Sequence, residues 1–399
     1  MRFLFTCIPA FGHLHAMVPY AQALKIRGHE VAFATGSEFK MAVQAAGFDH
    51  YSCGIGNASS FEALTRDPKW PAIHQRFAAD PSGLAQLHAF IEILAPQMLA
   101  RLPEVVKLWQ PHVIVRDPLE FGGYIAAELA GIPYVLVEWA IHIPTPRIAP
   151  EALQSLRRQY GLSSDPGLES LDAHLVLSAM PESWDFEGIP HPERLSRHCC
   201  APYDRAGSLP QSIPDLVRSG RPVVYATLGT TFNHSPDTFR AIIEAFAGED
   251  LTGILTLGHG LDPALFGPVP ENVLVANYIP QTSLLPHCDA VLFHGGFNSL
   301  HSALWHGLPM ILVPMGAGDQ MPNATTAVAR GLGLIEQRPL ASDSLRQAIR
   351  TVLGTTQFRT NAAQFQNEMR ALPPLAEAAH RMEALANTRS ATLSDSFLV

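Results

Sequence analysis

Residues 288–323 read CDAVLFHGGFNSLHSALWHGLPMILVPMGAGDQMPN, a succession that fits strand, glycine turn, helix, strand and loop. Ala290–Phe293 and Met310–Val313 are short unbroken apolar runs, as expected of strands buried on both faces of a parallel sheet. Between them, His294, Gly295 and Gly296 lead into a helix predicted to begin near Asn298 and Ser299, both good N-terminal caps. Such a turn points several unpaired backbone N–H groups and the positive end of the helix dipole at one place, where an anion, most often a phosphate, belongs. Taken alone, the glycines need only turn the chain, with His294 a bonded core residue and Asn298 a plain cap. Gly316–Asn323 shifts that balance: Asp319 and Gln320 leave the next strand at its carboxyl end, the edge where open α/β sheets bind ligands. One loop can then hold phosphate while its neighbour hydrogen-bonds a polyhydroxylated group.

Upstream, Val223–Leu228 starts a βαβ pattern with Gly229, Thr230 and Thr231 in its first turn. Those threonine hydroxyls can donate to a phosphate or merely close the turn. A helix is expected over about 236–247, then strands over 253–256 and 273–276. The last runs into Asn277-Tyr278-Ile279-Pro280-Gln281, where Tyr278 offers a flat face to a nucleobase and the Ile279 backbone lies at the base edge. Downstream, a short strand at Leu334–Ile335 and helices over 342–353 and 364–386 are expected, then a Ser- and Thr-rich tail predicted to fray. Proline and glycine accumulate over about 181–222, which places an inter-domain connection near 205–221.

The first half repeats the pattern. Arg2–Ile8 is an apolar strand, Pro9–Gly12 a turn, and a helix is expected from about His13 or Leu14 to Arg27, stopped by Gly28. The turn lacks the Gly-x-Gly-x-x-Gly fingerprint of a dinucleotide site and carries His13 instead, a side chain whose ordinary pKa suits it to take a proton from a hydroxyl. A histidine that only packs or caps at a helix start is the plainer alternative. The strand over 112–115 ends in Arg116 and Asp117, on the same sheet edge as His13, so Asp117 is a candidate to orient the imidazole. It can equally cap the following helix or pair with Arg116, and Glu120 competes for the same role. The apolar residues Trp70, Phe77, Phe90, Trp139 and His142 with its apolar neighbours fall in loops on this edge and suit an aromatic or lipid-like small molecule, or else pack over the core. Arg157 and Arg158 read as a solvated helix face.

With 399 residues, 47% hydrophobic and 16% charged, the chain has material for two domains of about 200 residues. A net charge of −9 argues against a nucleic-acid partner. Five cysteines without Cys-x-x-Cys spacing fit a reducing compartment and disfavour a cysteine zinc site. No apolar run reaches membrane-span length and the first residues do not continue as a signal peptide, so a cytoplasmic protein without stable membrane insertion is expected; a homodimer is left open.

In order and approximate spacing, Pro-Ala-Phe-Gly-His at 9–13, the Asp117 strand, Tyr-Ile-Pro-Gln at 278–281, His-Gly-Gly-Phe-Asn-Ser at 294–299 and Gly-Asp-Gln at 318–320 resemble the inverting GT-B-fold natural-product glycosyltransferases. That family includes plant glucosyltransferases, animal glucuronosyltransferases and bacterial antibiotic glycosyltransferases. The resemblance spans nearly the whole chain and implies an α/β protein with two Rossmann-like βαβ domains facing across a cleft. These would be an acceptor-binding domain at 1–210, rejoined by a C-terminal helix at about 375–399, and a nucleotide-sugar-binding domain at 218–374. It implies that His13 is the general base and Asp117 its partner, and that His294, Gly296, Asn298, Ser299 and Thr230 hold the donor diphosphate. Tyr278 and Ile279 would meet the base, Asp319 and Gln320 the sugar, and Gln281 is counted with the donor-binding residues. No metal or other cofactor is expected, since no Asp-x-Asp occurs. Where many members carry a glutamate for the ribose diol, this chain has Ser302, which leans the donor toward a dTDP-deoxysugar over a UDP-hexose. A UDP-hexose transferase, a non-catalytic sugar-nucleotide-binding partner and an epimerase are the competing readings.

Overall fold

The computed structural model describes residues 1–54, 64–79, 86–140 and 149–396 apart from 173, 187, 190, 206, 231, 232, 234, 259 and 317, with side chains described except at 77–79, 86, 172, 215 and 389–396. Two compact units result, one formed by Met1–Cys200 with Leu372–Val399 and the other by Ala201–Ala371. The division falls before the expected 210, and the reason is local. Asp204 bonds to Tyr278 and Gln281 of the second unit, so the segment after Cys200 is already committed there.

In the first unit, β1 (Arg2–Thr6), β2 (Glu30–Thr35), β3 (Asp49–Ser52), β4 (Val113–Arg116), β5 (Tyr134–Val137), β6 (Leu175–Ser178) and β7 (Leu195–Arg197) form one sheet in the order β3-β2-β1-β4-β5-β6-β7. Every pairing is parallel. In the second unit, β8 (Val223–Thr227), β9 (Thr252–Thr256), β10 (Val273–Ala276), β11 (Ala290–Phe293), β12 (Met310–Leu312) and β13 (Gly333–Ile335) pair in the order β10-β9-β8-β11-β12-β13, again all parallel. Each sheet reverses its direction of growth once, between β1 and β4 in the first and between β8 and β11 in the second. Crevices at such reversals, beyond the carboxyl ends of the strands, are where open α/β sheets hold ligands.

The cores follow from the apolar runs. Leu4, Ala32 and Ile114 pack against Phe121, Tyr124 and Ile125 of the helix Phe121–Ala130. In the second unit, Val224, Leu292 and Ile311 meet Phe239, Ile242 and Phe246 of Pro236–Phe246 and Leu345, Ile349 and Val352 of Ser342–Gly354. The expected helix over 364–386 is two helices, Thr356–Ala371 and Leu375–Ser396, broken at Pro373 and Pro374. There the Pro373 carbonyl accepts from the Cys199 N–H at 2.7 Å, beside a parallel bridge between Cys199 and Pro374. The second of these helices runs to Ser396, through most of the stretch expected to fray. All five cysteines are free. Arg157 is buried, not solvated, with its guanidinium donating to the Ser163 carbonyl.

Candidate active site

In the first unit the helix Phe11–Ile26 begins two residues earlier than expected, because the extended Ala10 turns its carbonyl to the His13 and Leu14 N–H groups at 3.0 Å each. His13 thereby sits in the first turn, beyond the end of β1. Its Nδ1 lies 3.1 Å from Oδ1 of Asp117, with the imidazole 14% exposed and the carboxylate fully buried. Burial would penalise that carboxylate were it unpaired, but backbone donors hold both oxygens: Ile8 N–H at 2.7 Å on Oδ2 and Leu119 N–H at 2.8 Å on Oδ1. These bonds fix the orientation of the carboxylate, whose Oδ1 lies close to His13 Nδ1 without a hydrogen bond of regular geometry between them.

The open alternatives for Asp117 are resolved by its neighbours. Glu120, not Asp117, caps the helix Phe121–Ala130, its Oε2 accepting the Gly123 N–H at 2.7 Å. Arg116 directs its guanidinium to main-chain oxygens of Asp117 and Leu171. Burial, with the nearby Asp117 charge adding to it, pushes the Glu120 carboxyl up to about 7. A methyl added at Gly122 or Gly123 would lie 2.7 or 2.5 Å from its oxygens, so both glycines make room for this side chain.

Trp139 stands edge-on to His13 with ring centroids 4.6 Å apart. With Trp70 and Phe90, it packs against a separate apolar cluster that includes Ile8, Leu64, Ile73, Leu87, Leu94 and Leu119. Three of the candidate acceptor residues thus border one apolar patch next to the imidazole. The Phe77 side chain and His142 lie outside the described residues.

In the second unit the turn after β11 is tighter than the sequence implied. The helix Phe297–Trp305 begins after Gly296, not at Asn298, and the Phe297 N–H donates to Oδ2 of Asp319 at 3.3 Å. Asp319 therefore steadies the helix start from across the next loop. Gly295 adopts φ +90°, and a Cβ there would lie 2.7 Å from the Gln320 carbonyl; its own carbonyl accepts from Asn323 at 2.9 Å. The His294 ring lies against two glycines, since a Cβ at Gly229 or Gly296 would come within 2.7 or 2.4 Å of it. Burial lowers the His294 pKa to about 4. Burial thus favours the neutral ring, which can meet a phosphate as an N–H donor. Ser299 and Ser302 are buried on the same helix, and Thr230 is exposed after β8. Gln320 is also buried, its Oε1 accepting the Met315 N–H at 2.6 Å, so this expected sugar ligand braces the loop with half of its amide already engaged.

Tyr278 differs most from expectation. It is not a bare platform: the Arg205 guanidinium lies 4.1 Å from its ring centroid, its hydroxyl donates to Asp204 Oδ1 at 2.5 Å, and the Arg205 carbonyl is 2.9 Å away. Neither Asp204 nor Arg205 was indicated by sequence, because they lie in an irregular segment distant in sequence from Tyr278. Ile279 is buried, and the Gln281 N–H donates to the other oxygen of Asp204. Among the described residues, no cluster of three or more His, Cys, Asp or Glu side chains could hold a metal ion, and no helix is long and apolar enough to cross a membrane.

Comparison with known proteins bears on the fold and the activity. The erythromycin biosynthesis protein CIII-like N-terminal domain model matches residues 74–185 and its C-terminal counterpart residues 241–385. The 4'-demethylrebeccamycin synthase of Lentzea aerocolonigenes is 29% identical over 96% of this chain and 99% of its own. Demethyllactenocin mycarosyltransferase of Streptomyces fradiae is 27% identical, over 88% of this chain and 82% of its own. Among solved structures, the glycosyltransferase SnogD from Streptomyces nogalater superposes with a TM-score of 0.78 at 26% identity, covering 97% of this chain and 99% of that one. The glycosyltransferase VinC, in complex with dTDP, gives 0.77 at 28%, covering 97% and 100%. The partner-protein and epimerase readings give way to sugar transfer, and the chain belongs to the erythromycin-CIII-like family of GT-B-fold natural-product glycosyltransferases.

Proposed function

We propose that this enzyme transfers a sugar, with inversion, from a dTDP-linked donor to a hydroxyl of a hydrophobic natural product, with His13 as general base. The observation that carries the reading is the buried Asp117 carboxylate, fixed by two backbone donors, 3.1 Å from the partly exposed His13 imidazole. As the acceptor oxygen bonds to the anomeric carbon, its proton passes to His13 Nε2, and Asp117 steadies the imidazolium from Nδ1. The bond from the anomeric carbon to the phosphate oxygen breaks, and the nucleoside diphosphate leaves from the opposite face. Its charge is met by the backbone N–H groups at the start of Phe297–Trp305, by neutral His294 and by the Asn298, Ser299 and Thr230 side chains, which are set in place beforehand. The apolar patch bordered by Trp70, Phe90 and Trp139 supports a hydrophobic acceptor. No divalent ion enters this scheme.

The dTDP preference rests on Ser302, which supplies no carboxylate for a ribose 2′,3′-diol, and VinC's structure with dTDP is consistent with it. A UDP-hexose donor is the second reading, in which Ser302 reaches the ribose through water. A thermal-shift panel of dTDP, UDP, GDP and ADP separates them: stabilisation by dTDP over UDP is expected, and the reverse order refutes the preference. His13→Ala should lower turnover by about 10²-fold or more while leaving the dTDP shift intact. Near-normal turnover would remove the base from the scheme.

A further inference from the structure

Tyr278 is held on three sides by its own unit. Its hydroxyl donates to Asp204 Oδ1 at 2.5 Å, the Arg205 carbonyl lies 2.9 Å from the same hydroxyl, and the Arg205 guanidinium covers one ring face with its centre 4.1 Å from the centroid. The second Asp204 oxygen accepts the Gln281 N–H, so one carboxylate ties the ring to the turn that follows it. Gly207 presses on this turn as well: a Cβ there would sit 2.8 Å from Pro280 Cγ and 3.9 Å from Tyr278 Cε1. Beneath it, Gln281 reaches the buried Tyr225 hydroxyl at 3.4 Å, itself bonded to Thr256 at 2.7 Å.

A tyrosine used only as a flat surface would need none of this. Its hydroxyl is what Asp204 grips, and a phenylalanine would present the same ring while leaving Asp204 Oδ1 with the Arg205 N–H at 2.8 Å but without its tie to the ring. A guanidinium stacked on an aromatic face is attracted by the ring quadrupole and is weakly hydrated, so it stays there at little cost. A ring so held has already lost the rotamer freedom that stacking would otherwise remove, which is the usual way preorganisation raises affinity.

We propose that Asp204 and Arg205 are positioning residues for the donor's nucleobase: Arg205 backs one face of Tyr278, Asp204 fixes its edge, and the pyrimidine stacks on the remaining face. This rests on the nucleotide-sugar reading above and adds to it residues acting on the nucleoside half of the donor alone. The layers would run base, tyrosine, guanidinium.

The two halves of the donor can be probed separately in the full-length enzyme. Competition by thymidine and by inorganic pyrophosphate, together with direct dTDP titration, would be measured for wild type, Arg205→Ala, Arg205→Lys, Arg205→Gln and Tyr278→Phe. Arg205→Ala and Tyr278→Phe are each expected to weaken dTDP and thymidine binding by about fivefold to thirtyfold, consistent with a lost cation–π contact or charged hydrogen bond, and to leave pyrophosphate competition unchanged. Arg205→Lys should recover part of the loss and Arg205→Gln less, because only the lysine keeps the charge. Unchanged thymidine binding in Arg205→Ala overturns the proposal, and so does an equal loss of pyrophosphate competition, which would make Arg205 a phosphate ligand. Should Arg205→Ala not fold, Arg205→Gln and Tyr278→Phe decide by the same criteria. A wild-type enzyme that binds neither dTDP nor UDP would instead sink the nucleotide reading, and this inference with it.

Discussion

Asp117 is fully buried yet close to His13, and the three contacts on its two oxygens show how it is held there. Asp117→Asn keeps the shape but puts an amide N–H₂ against either a backbone N–H or the imidazole, a donor facing a donor. Turnover should fall by about 10²-fold or more with dTDP binding unchanged; steady-state kinetics beside a dTDP titration checks both halves of that statement. Glu120 gives a stability prediction with a definite sign. Its folded pKa, about 7, is raised above the ordinary 4.5, so between those values the folded chain keeps a proton that the unfolded chain releases. Stability therefore falls as pH rises through that window, by up to about 3 kcal/mol. Glu120→Gln retains an acceptor for Gly123 and cannot ionise; its advantage over wild type in denaturant unfolding should grow from pH 5 to pH 8, and a constant difference would contradict the assignment. The closeness of His13 to Asp117 was legible because the turn after β1 and the end of β4 fall on the same edge of adjacent parallel strands. The grip on Tyr278 was not legible, since Asp204 and Arg205 occupy a segment with no periodicity and the contact is made only by the fold.

At the scale of elements, the sequence signalled the interior strands and both edges of the second sheet, β10 and β13, but not the edges of the first. Phe3 to Phe5 and Ala290 to Phe293 are continuous apolar stretches and lie inside their sheets, whereas β3 and β7 are short sheet edges with half-exposed faces, too mixed in pattern to be read. Helix starts were displaced for a related reason. The caps are supplied from elsewhere, by Asp319 for Phe297–Trp305, or by backbone alone for Phe11–Ile26, so the local cap code placed them late. The anion turn depends on Gly295, whose φ of +90° and close approach to the Gln320 carbonyl both exclude a side chain. Gly295→Ala is expected to cost about 1–3 kcal/mol of stability from the backbone conformation alone. It should also weaken dTDP and pyrophosphate together, because the displaced turn carries the N–H groups that both would share. Retained pyrophosphate competition in a destabilised variant would place the diphosphate elsewhere.

For the molecule as a whole, the informative element is the helix Leu375–Ser396, which comes last in the chain yet belongs to the unit that comes first. Two features hold it to the helix Phe11–Ile26 and its surroundings. Ala378, Ala379, Met382 and Ala386 are fully buried, and Glu383 takes a two-pronged bond from Arg27 at 2.7 and 2.9 Å and a third contact from His29 at 2.5 Å. The apolar face supplies most of the attachment, since an ion pair still in reach of solvent contributes little in water. The sequence announced the two-part plan through the βαβ pattern that restarts at Val223, but Pro373 and Pro374, where the chain changes units, looked like the interior of one long helix. Because the two cores share no residues, a cavity in one and a ligand of the other should act on different parts of the unfolding profile. Met382→Ala should remove about 2–5 kcal/mol from the first unit, while saturating dTDP raises the second by mass action. Calorimetry is expected to show two transitions, the Met382→Ala substitution lowering one and dTDP raising the other; a single transition moved by both would mean that the units unfold together and that the last helix serves the entire chain.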